Sequence, residues 1–219
     1  MSVEKKGENG RSSEADPPKA EAIAYDIFPS YIGPKDVVIE VGANVGASTI
    51  LLSELASMVH AFEPNPVVFK ELEKLTAGRN NVQPHNMGAG AKSEMVKFNV
   101  PHPEMTTRGS RFVIEGGAYV GQIDVSIVAL DDVQFPVAPT VLVLDCEGSE
   151  LAVLEGANRL LRGGGVHTIL AELHYLADGT NTIGPTTAAL TKLGYRTKSI
   201  SAPDGSPWVI GVLGDTGNN

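Results

Sequence analysis

Short apolar runs alternate with amphipathic stretches along most of the chain. The runs span residues 37–41, 58–62, 141–144 and 168–173. Their short length and β-branched residues are typical of buried strands, and the stretches between them have the periodicity of helices. This alternation predicts an α/β fold with a mostly parallel sheet and helices on both faces. Two further runs, 195–201 and 208–213, predict an antiparallel strand pair near the C-terminus.

The first strand–helix–strand unit has the features of a ligand site. Its first strand leads into a glycine-containing turn at residues 42–46, and Ser48 is expected to cap the helix that follows. Glu63 follows the second strand, where the ligand crevice of an open α/β sheet lies. The glycines let a ligand approach the backbone, and Glu63 can accept hydrogen bonds from two ribose hydroxyls. We therefore expect a cofactor that contains a nucleoside.

The spacing of the glycines distinguishes between such cofactors. Dinucleotide sites have the pattern G-x-G-x-x-G, whereas this chain has Gly42 and Gly46 with Asn44 between them. Glu40, near the first glycine, would repel a pyrophosphate but suits an ammonium group. S-adenosylmethionine carries an ammonium group and a ribose without phosphate, so the pattern favours this cofactor over a nicotinamide or flavin dinucleotide.

A second group of polar residues follows two later strands. Asp145 and Glu147 follow the strand at 141–144, and His174 follows the strand at 168–173. Because the carboxyl ends of neighbouring strands converge on one crevice, we expect Asp145 and His174 to lie close together at the reaction centre. His174 is the first candidate for a general base, since the titration range of histidine covers physiological pH. A purely structural histidine at the end of a strand is the alternative.

The same side chains have further possible roles. Asp145, Glu147 and His174 offer oxygen and nitrogen ligands that Mg²⁺ or Mn²⁺ can use. Asp145 could instead orient His174 or act as the base itself. Glu147 could instead stabilise the positive N-terminus of the next helix, which Ser149 is expected to cap.

Composition and charge narrow the functional classes. The 219 residues suit one domain with a tail, and 42% apolar residues suffice for a substantial core. A net charge of -9 lacks the basic footprint of a nucleic-acid binder, so no nucleic-acid partner is expected. The chain has neither an apolar segment of membrane-spanning length nor a signal-peptide core, so we expect no membrane partner and a cytoplasmic location. The single cysteine, Cys146, excludes an intramolecular disulfide.

Several motifs together resemble those of the FkbM family of methyltransferases. VLVLDCEGSELAVLEGA at 141–157 resembles the family signature, in which an apolar strand leads into D-x-E-G-x-E and a helix with L-x-G-A. VIEVGANVGAST at 38–49 and HAFEPNP at 60–66 resemble its cofactor half. The resemblance covers roughly residues 36–175. It implies a class I, Rossmann-like, S-adenosylmethionine-dependent methyltransferase that typically transfers methyl to a hydroxyl oxygen of a sugar, polyketide or other small molecule.

The resemblance also implies roles for individual residues. The positions that carry over to the methionine end of the cofactor are Glu40, Gly42, Asn44 and Gly46. Glu63 carries over to the ribose, and Asn65 to the ribose or adenine. Asn86 and Met87, at the end of the third strand, are expected to flank the adenine. Asp145 falls where class I enzymes often place a residue near the methyl group or a metal.

Three segments outside this framework carry their own predictions. Residues 1–20 are polar, with mixed charges, and predict a disordered tail before a single domain at 21–214. Residues 21–32 predict a short helix that either covers the site or packs on the sheet edge. Residues 102–122 are glycine-rich and predict an ordered hairpin or a lid over the acceptor pocket.

Rival functions stay open at this point. A cofactor-binding protein without catalysis would have the same sequence pattern, and a nicotinamide-dependent oxidoreductase would use the same crevice. Methyltransferases that act on nucleic-acid bases commonly carry D/N-P-P-aromatic after the fourth strand, whereas residues 145–148 read DCEG. The methyl acceptor is not identified by the sequence. The C-terminal strand pair could form a homodimer edge.

Overall fold

The computed structural model describes residues 22–101, 119–176, 178–202 and 205–214. The predicted tail at 1–20 lies outside the described residues, as do residues 102–118 of the predicted hairpin or lid. The assignment of 21–214 to a single domain stays a prediction.

Helices and strands alternate along most of the chain. The helices are α1 (Ala22–Tyr31), α2 (Ala47–Leu55), α3 (Pro66–Thr76), α4 (Glu150–Gly156), α5 (Asn158–Arg162) and α6 (Ile183–Lys192). The strands are β1 (Val37–Val41), β2 (Met58–Phe62), β3 (Val82–His85), β4 (Gly88–Ala89), β5 (Glu94–Pro101), β6 (Tyr119–Val128), β7 (Val141–Leu144), β8 (Thr168–Glu172), β9 (Tyr195–Ser201) and β10 (Pro207–Leu213). A 3-10 helix spans Leu130–Asp132.

Seven strands form the main sheet in the order β3-β2-β1-β7-β8-β10-β9. The first five are parallel, whereas β10 runs antiparallel to both β8 and β9. Val41 pairs with Phe62 on one side and with Leu144 on the other, so β1, β2 and β7 end at the same level. The predicted mostly parallel sheet with a closing antiparallel pair is confirmed. The dimer contact that the sequence suggested for this pair stays a prediction.

Two apolar layers cover the two faces of the sheet. Successive residues of a strand point to opposite faces, so Val38 belongs to one core cluster and Ile39 to the other. Phe28 of α1 is buried in the first cluster, where its ring meets that of Trp208 edge-on at a centroid distance of 6.4 Å. Helix α1 therefore packs against this face of the sheet, and its role as a cover of the site stays a prediction.

A second, smaller sheet has the order β4-β6-β5. The glycines at 88 and 90 predict a turn, but Gly88–Ala89 forms a short strand parallel to β6. The reason is long-range pairing, which includes the Gly90 N–H that donates to the Val128 carbonyl at 3.0 Å. Sequence near the glycines does not contain this partner.

In the described part of the chain, no helix combines the length and the apolar character that crossing a membrane requires.

Candidate functional site

The glycine turn after β1 packs tightly between two neighbouring strand ends. The N–H groups of Gly42 and Ala43 both donate to the Phe62 carbonyl at 3.0 Å, at the end of β2. Gly42 has φ +93°, and a Cβ added there would lie 1.8 Å from the Asp145 carbonyl oxygen. The Asp145 N–H in turn donates to the Val41 carbonyl at 3.0 Å. Only glycine fits at position 42, and the turn lies directly against the loop after β7.

Glu63 is buried beside this turn. One carboxylate oxygen accepts the Asn44 N–H at 3.1 Å, and the other accepts the Asn65 N–H at 2.8 Å. Burial raises the pKa of Glu63 to about 7, although both N–H groups oppose this rise. A carboxylate oxygen has more than one acceptor position, so each can still accept a hydrogen bond from a ligand. This pair of fixed acceptors fits a ribose diol.

Glu40 is buried on β1, and two hydroxyls from helix α2 donate hydrogen bonds to its carboxylate. Its two oxygens accept the hydroxyls of Ser48 at 2.5 Å and Thr49 at 2.6 Å. Burial raises the pKa of Glu40, against the effect of both hydroxyls. The prediction that Ser48 caps α2 is wrong, because its hydroxyl donates to Glu40, and the N-cap position is Gly46 in a left-handed conformation. A contact of Glu40 with the cofactor stays a prediction.

The residues predicted to reach the adenine hold the chain after β2 and β3. The Asn65 side chain accepts the Val67 N–H at 3.0 Å and caps α3. The Asn86 amide donates to the carbonyls of Glu63 at 3.0 Å and Pro64 at 3.3 Å. Met87 packs, half-buried, against the second core cluster. Their adenine contacts stay predictions, and the observed bonds keep the backbone around Glu63 in place.

The loop after β7 turns sharply. Glu147 has φ +52° and Gly148 has φ +103°, so two consecutive residues adopt left-handed conformations. Such a conformation costs a side-chain-bearing residue about 1–2 kcal/mol. The turn brings a Glu147 carboxylate oxygen to 3.7 Å from His174 Nε2.

His174 lies at the centre of a cluster of carboxylates. The residue is only 8% exposed, and its Nε2 lies 3.6 Å from Asp145 Oδ1 as well as close to Glu147. Its backbone is held by Thr182, which accepts the His174 N–H with its hydroxyl and donates its own N–H to the His174 carbonyl, both at 2.9 Å. The structure therefore brings together Asp145, Glu147 and His174, which the sequence predicted to meet.

Sequence analysis assigned no role to Glu150, which belongs to this cluster. Glu150 is fully buried, and its Oε1 lies 2.8 Å from His174 Nδ1 and accepts the Gly148 N–H at 3.0 Å. Within the described ranges, its Oε2 has no hydrogen-bond partner. The signal was present as the last glutamate of the D-x-E-G-x-E motif. The predicted cap Ser149 makes no side-chain capping bond at the start of α4.

The cluster has more negative than positive charge. Burial lowers the pKa of His174, but the hydrogen bond and charge of Glu150, followed by the charges of Glu147 and Asp145, raise it to about 9. Burial opposes ionisation of Glu150, yet the bonded His174 holds the pKa of Glu150 below its usual value. Desolvation and then the charge of Glu172 raise the pKa of Asp145.

The cluster is compact enough to hold one cation. One ligand atom each from Asp145, Glu147 and His174 can be chosen so that all three lie within 4.8 Å of one another. The Asp145 side chain is half-exposed, so this group opens to the crevice.

Comparison with known proteins identifies the family of this chain. Residues 40–197 match the Methyltransferase FkbM domain. The hexuronic acid methyltransferase AglP of Haloferax volcanii is 31% identical to this chain over 140 residues, which cover 64% of this chain and 56% of AglP.

Solved structures share the fold. Methyltransferase FkbM of Methylobacillus flagellatus superposes with a TM-score of 0.57 and 18% identity over 80% of this chain and 43% of its own. Sp1610 of Streptococcus pneumoniae, assigned as a tRNA (m1A22) methyltransferase and solved with S-adenosyl-L-methionine, has a TM-score of 0.53 and 10% identity over 89% of this chain and 73% of its own. At these identities the likeness concerns the class I methyltransferase fold alone.

The chain spans about half the length of AglP and of the FkbM structure. The match over residues 40–197 nevertheless includes the glycine turn, Glu63 and the whole His174 cluster. The chain belongs to the FkbM family of methyltransferases.

Proposed function

We propose that this chain transfers a methyl group from S-adenosylmethionine to a hydroxyl of a sugar or another small molecule. The observation that carries the proposal is the contact between the turn at Gly42 and the backbone of Asp145. This contact joins the turn beside Glu63, where a nucleoside would bind, to the proton-accepting groups around His174 at the same end of the sheet.

In this proposal the first half of the site binds the cofactor. Glu63 accepts the two ribose hydroxyls, with its carboxylate held by backbone N–H groups on both oxygens. Asn65, Asn86 and Met87 border the adenine. The residues assigned to the methionine end are Glu40, Gly42, Asn44 and Gly46. When bound, S-adenosylmethionine supplies a methyl group on a positively charged sulfur.

The second half receives the proton of the acceptor hydroxyl. An alcohol is a weak nucleophile at neutral pH, so a base beside it lowers the barrier. His174 Nε2 and Asp145 Oδ1 lie 3.6 Å apart, so either can take the proton: Asp145 as a carboxylate, or His174 in its neutral form, whose new positive charge Asp145 then stabilises. As the alternative within the proposal, Asp145, Glu147 and His174 would hold Mg²⁺ or another divalent metal, which would take the place of the base by making the acceptor hydroxyl more acidic.

The proposed acceptor class rests on family membership and on charge. AglP is a hexuronic acid methyltransferase, which supports a sugar acceptor for this shorter chain. RNA is also methylated by proteins of this fold, as the name of Sp1610 indicates. A net charge of -9 disfavours a polyanionic acceptor. The expected cytoplasmic location stays a prediction.

The first test is calorimetric titration with S-adenosylmethionine, S-adenosylhomocysteine and NAD. We expect the first two to bind and NAD not to bind. Binding of NAD alone would favour the nicotinamide-dependent alternative, and no binding of any of the three would contradict the proposed cofactor.

The second test follows the transfer of a labelled methyl group to a panel of hydroxylated acceptors, including sugars, hexuronic acids and RNA. Label on a sugar or small-molecule hydroxyl supports the proposal. Label on RNA would mean that the acceptor is RNA and not a sugar or small molecule. Cofactor binding without transfer to any acceptor would favour a binding protein without catalysis.

A further inference from the structure

The spacing around His174 Nε2 does not suit hydrogen bonds. His174 Nε2 lies 3.6 Å from Asp145 Oδ1 and 3.7 Å from Glu147 Oε2, whereas a hydrogen bond between such atoms spans about 2.7–3.2 Å. Metal–ligand bonds from histidine nitrogen and carboxylate oxygen are about 2.0–2.2 Å long. Two ligand atoms on one metal then lie about 3–3.5 Å apart at angles near 90–110°. The two separations from His174 Nε2 are within a few tenths of an ångström of that range, and all three ligand atoms lie within 4.8 Å of one another.

The opposite side of His174 is already fixed. Its Nδ1 lies 2.8 Å from Oε1 of the fully buried Glu150. A metal-bound histidine commonly donates its other ring N–H to a carboxylate, which orients the ring and increases the basicity of the ligand nitrogen. Glu150 occupies this supporting position and leaves Nε2 directed at Asp145 and Glu147.

The carboxylates around His174 favour the binding of a cation. Glu150 Oε2 is buried and has no hydrogen-bond partner among the described residues. Asp145, Glu147 and Glu172 add further carboxylates around His174. A divalent cation would neutralise part of this negative charge. The half-exposed Asp145 leaves an open side on which an acceptor oxygen could bind.

We propose that Asp145, Glu147 and His174 form a site for a divalent transition metal such as Mn²⁺, with Glu150 as the positioning residue behind the histidine. A set of two carboxylates and one imidazole suits Mn²⁺ and its neighbours in the first transition series better than Ca²⁺ or Mg²⁺, which prefer oxygen ligands alone. This inference refines the metal in the proposed function. Metal binding can be measured without any acceptor.

The test is titration of the full chain with MnCl₂, followed by the electron paramagnetic resonance signal of free Mn²⁺. We expect one Mn²⁺ per chain. His174→Gln and Glu147→Gln are expected to remove binding, and Glu150→Gln to weaken it about 10-fold or more, as the loss of a supporting hydrogen bond does at other metal sites. Glu155→Gln is the matched control, since Glu155 is an exposed glutamate on the same helix α4.

Each outcome decides the inference. Wild type that binds no Mn²⁺, or a His174→Gln variant that binds it as well as wild type, overturns the site. Displacement of Mn²⁺ by an equal concentration of Mg²⁺ or Ca²⁺ overturns the transition-metal class. Unchanged affinity in Glu150→Gln overturns the role of Glu150. S-adenosylmethionine affinity is measured on the same samples, so a variant that fails to fold, or a failure of the proposed cofactor, is recognised separately.

Discussion

The carboxylates on the two sides of the crevice have different partners. On the proposed cofactor side, hydroxyls and backbone N–H groups satisfy Glu40 and Glu63. On the proposed acceptor side, Asp145, Glu147 and Glu150 surround the imidazole of His174. The donors to Glu40 and Glu63 are neutral, whereas the carboxylates of the other group surround a side chain that can carry a positive charge.

This difference separates a binding surface from a reactive one. The donors to Glu40 come from the next helix along the chain, so local sequence largely builds that half. The acceptor half combines residues from the loop and helix after β7 with His174 at the end of β8. Glu150 and His174, which are in contact, are 24 residues apart along the chain. Substitutions on one side should therefore affect cofactor affinity, and substitutions on the other should affect turnover.

The largest expected effect is on turnover. His174→Gln and Asp145→Asn should each reduce kcat by about 10²–10⁴-fold, the usual contribution of a positioned acid or base. Affinity for S-adenosylmethionine should stay close to that of wild type, because neither side chain belongs to the Glu63 side. Methyl-transfer assays and calorimetry on the same variants measure both quantities. Full turnover in either variant would remove that residue from the catalytic set.

Gly42→Ala should disturb the structure of the cofactor side and of the acceptor side together. A Cβ there meets the Asp145 carbonyl at 1.8 Å, in addition to the cost of about 1–2 kcal/mol for a left-handed alanine. Gly78→Ala is the matched control, because Gly78 also has positive φ, at +87°, but no described residue beyond its chain neighbours has an atom within 4 Å of the added Cβ. Denaturant unfolding should show a clearly larger loss of stability for Gly42→Ala. Equal losses would mean that the approach to Asp145 is not tight in solution.

Glu63→Ala should weaken S-adenosylmethionine binding by about 100-fold or more, since two ribose hydrogen bonds are lost and each bond to a charged group contributes about 1.5–3 kcal/mol. Glu71→Ala serves as the control, because Glu71 is exposed on α3 and pairs only with Lys74 among the contacts described. Calorimetry gives the two affinities. A Glu63→Ala variant with wild-type affinity would show that the ribose does not bind at this carboxylate.

A smaller effect should appear as pH dependence of cofactor affinity. The pKa of Glu63 is raised to about 7, so its contribution to folding stability is complete below its usual value and is lost as the pH rises through about 7. Ribose hydroxyls favour the ionised form, so affinity should rise with pH and be about 10-fold weaker at pH 6 than at its plateau. Glu63→Gln should remove this dependence. The same pH profile in that variant would mean that another group, or the ligand itself, titrates.

Sequence reasoning succeeded where structure follows from nearby residues. The apolar runs predicted the order of strands and helices, because strand pattern and glycine spacing are local properties. Topology then brought Asp145 and His174 together, since parallel strands end at one edge of the sheet. The strand at Gly88–Ala89 was not predicted, because its partner, β6, lies far along the chain.

The sequence by itself determined the class of the protein: an α/β sheet, a glycine turn with an acidic residue after the next strand, and the signature of a methyltransferase family. Tertiary structure alone decided what the acidic side chains around His174 do. It placed Glu150 behind His174, 24 residues away along the chain. The physical reason is that a buried carboxylate takes whichever donor the packing brings within about 3 Å. That donor depends on the register of strands distant in sequence.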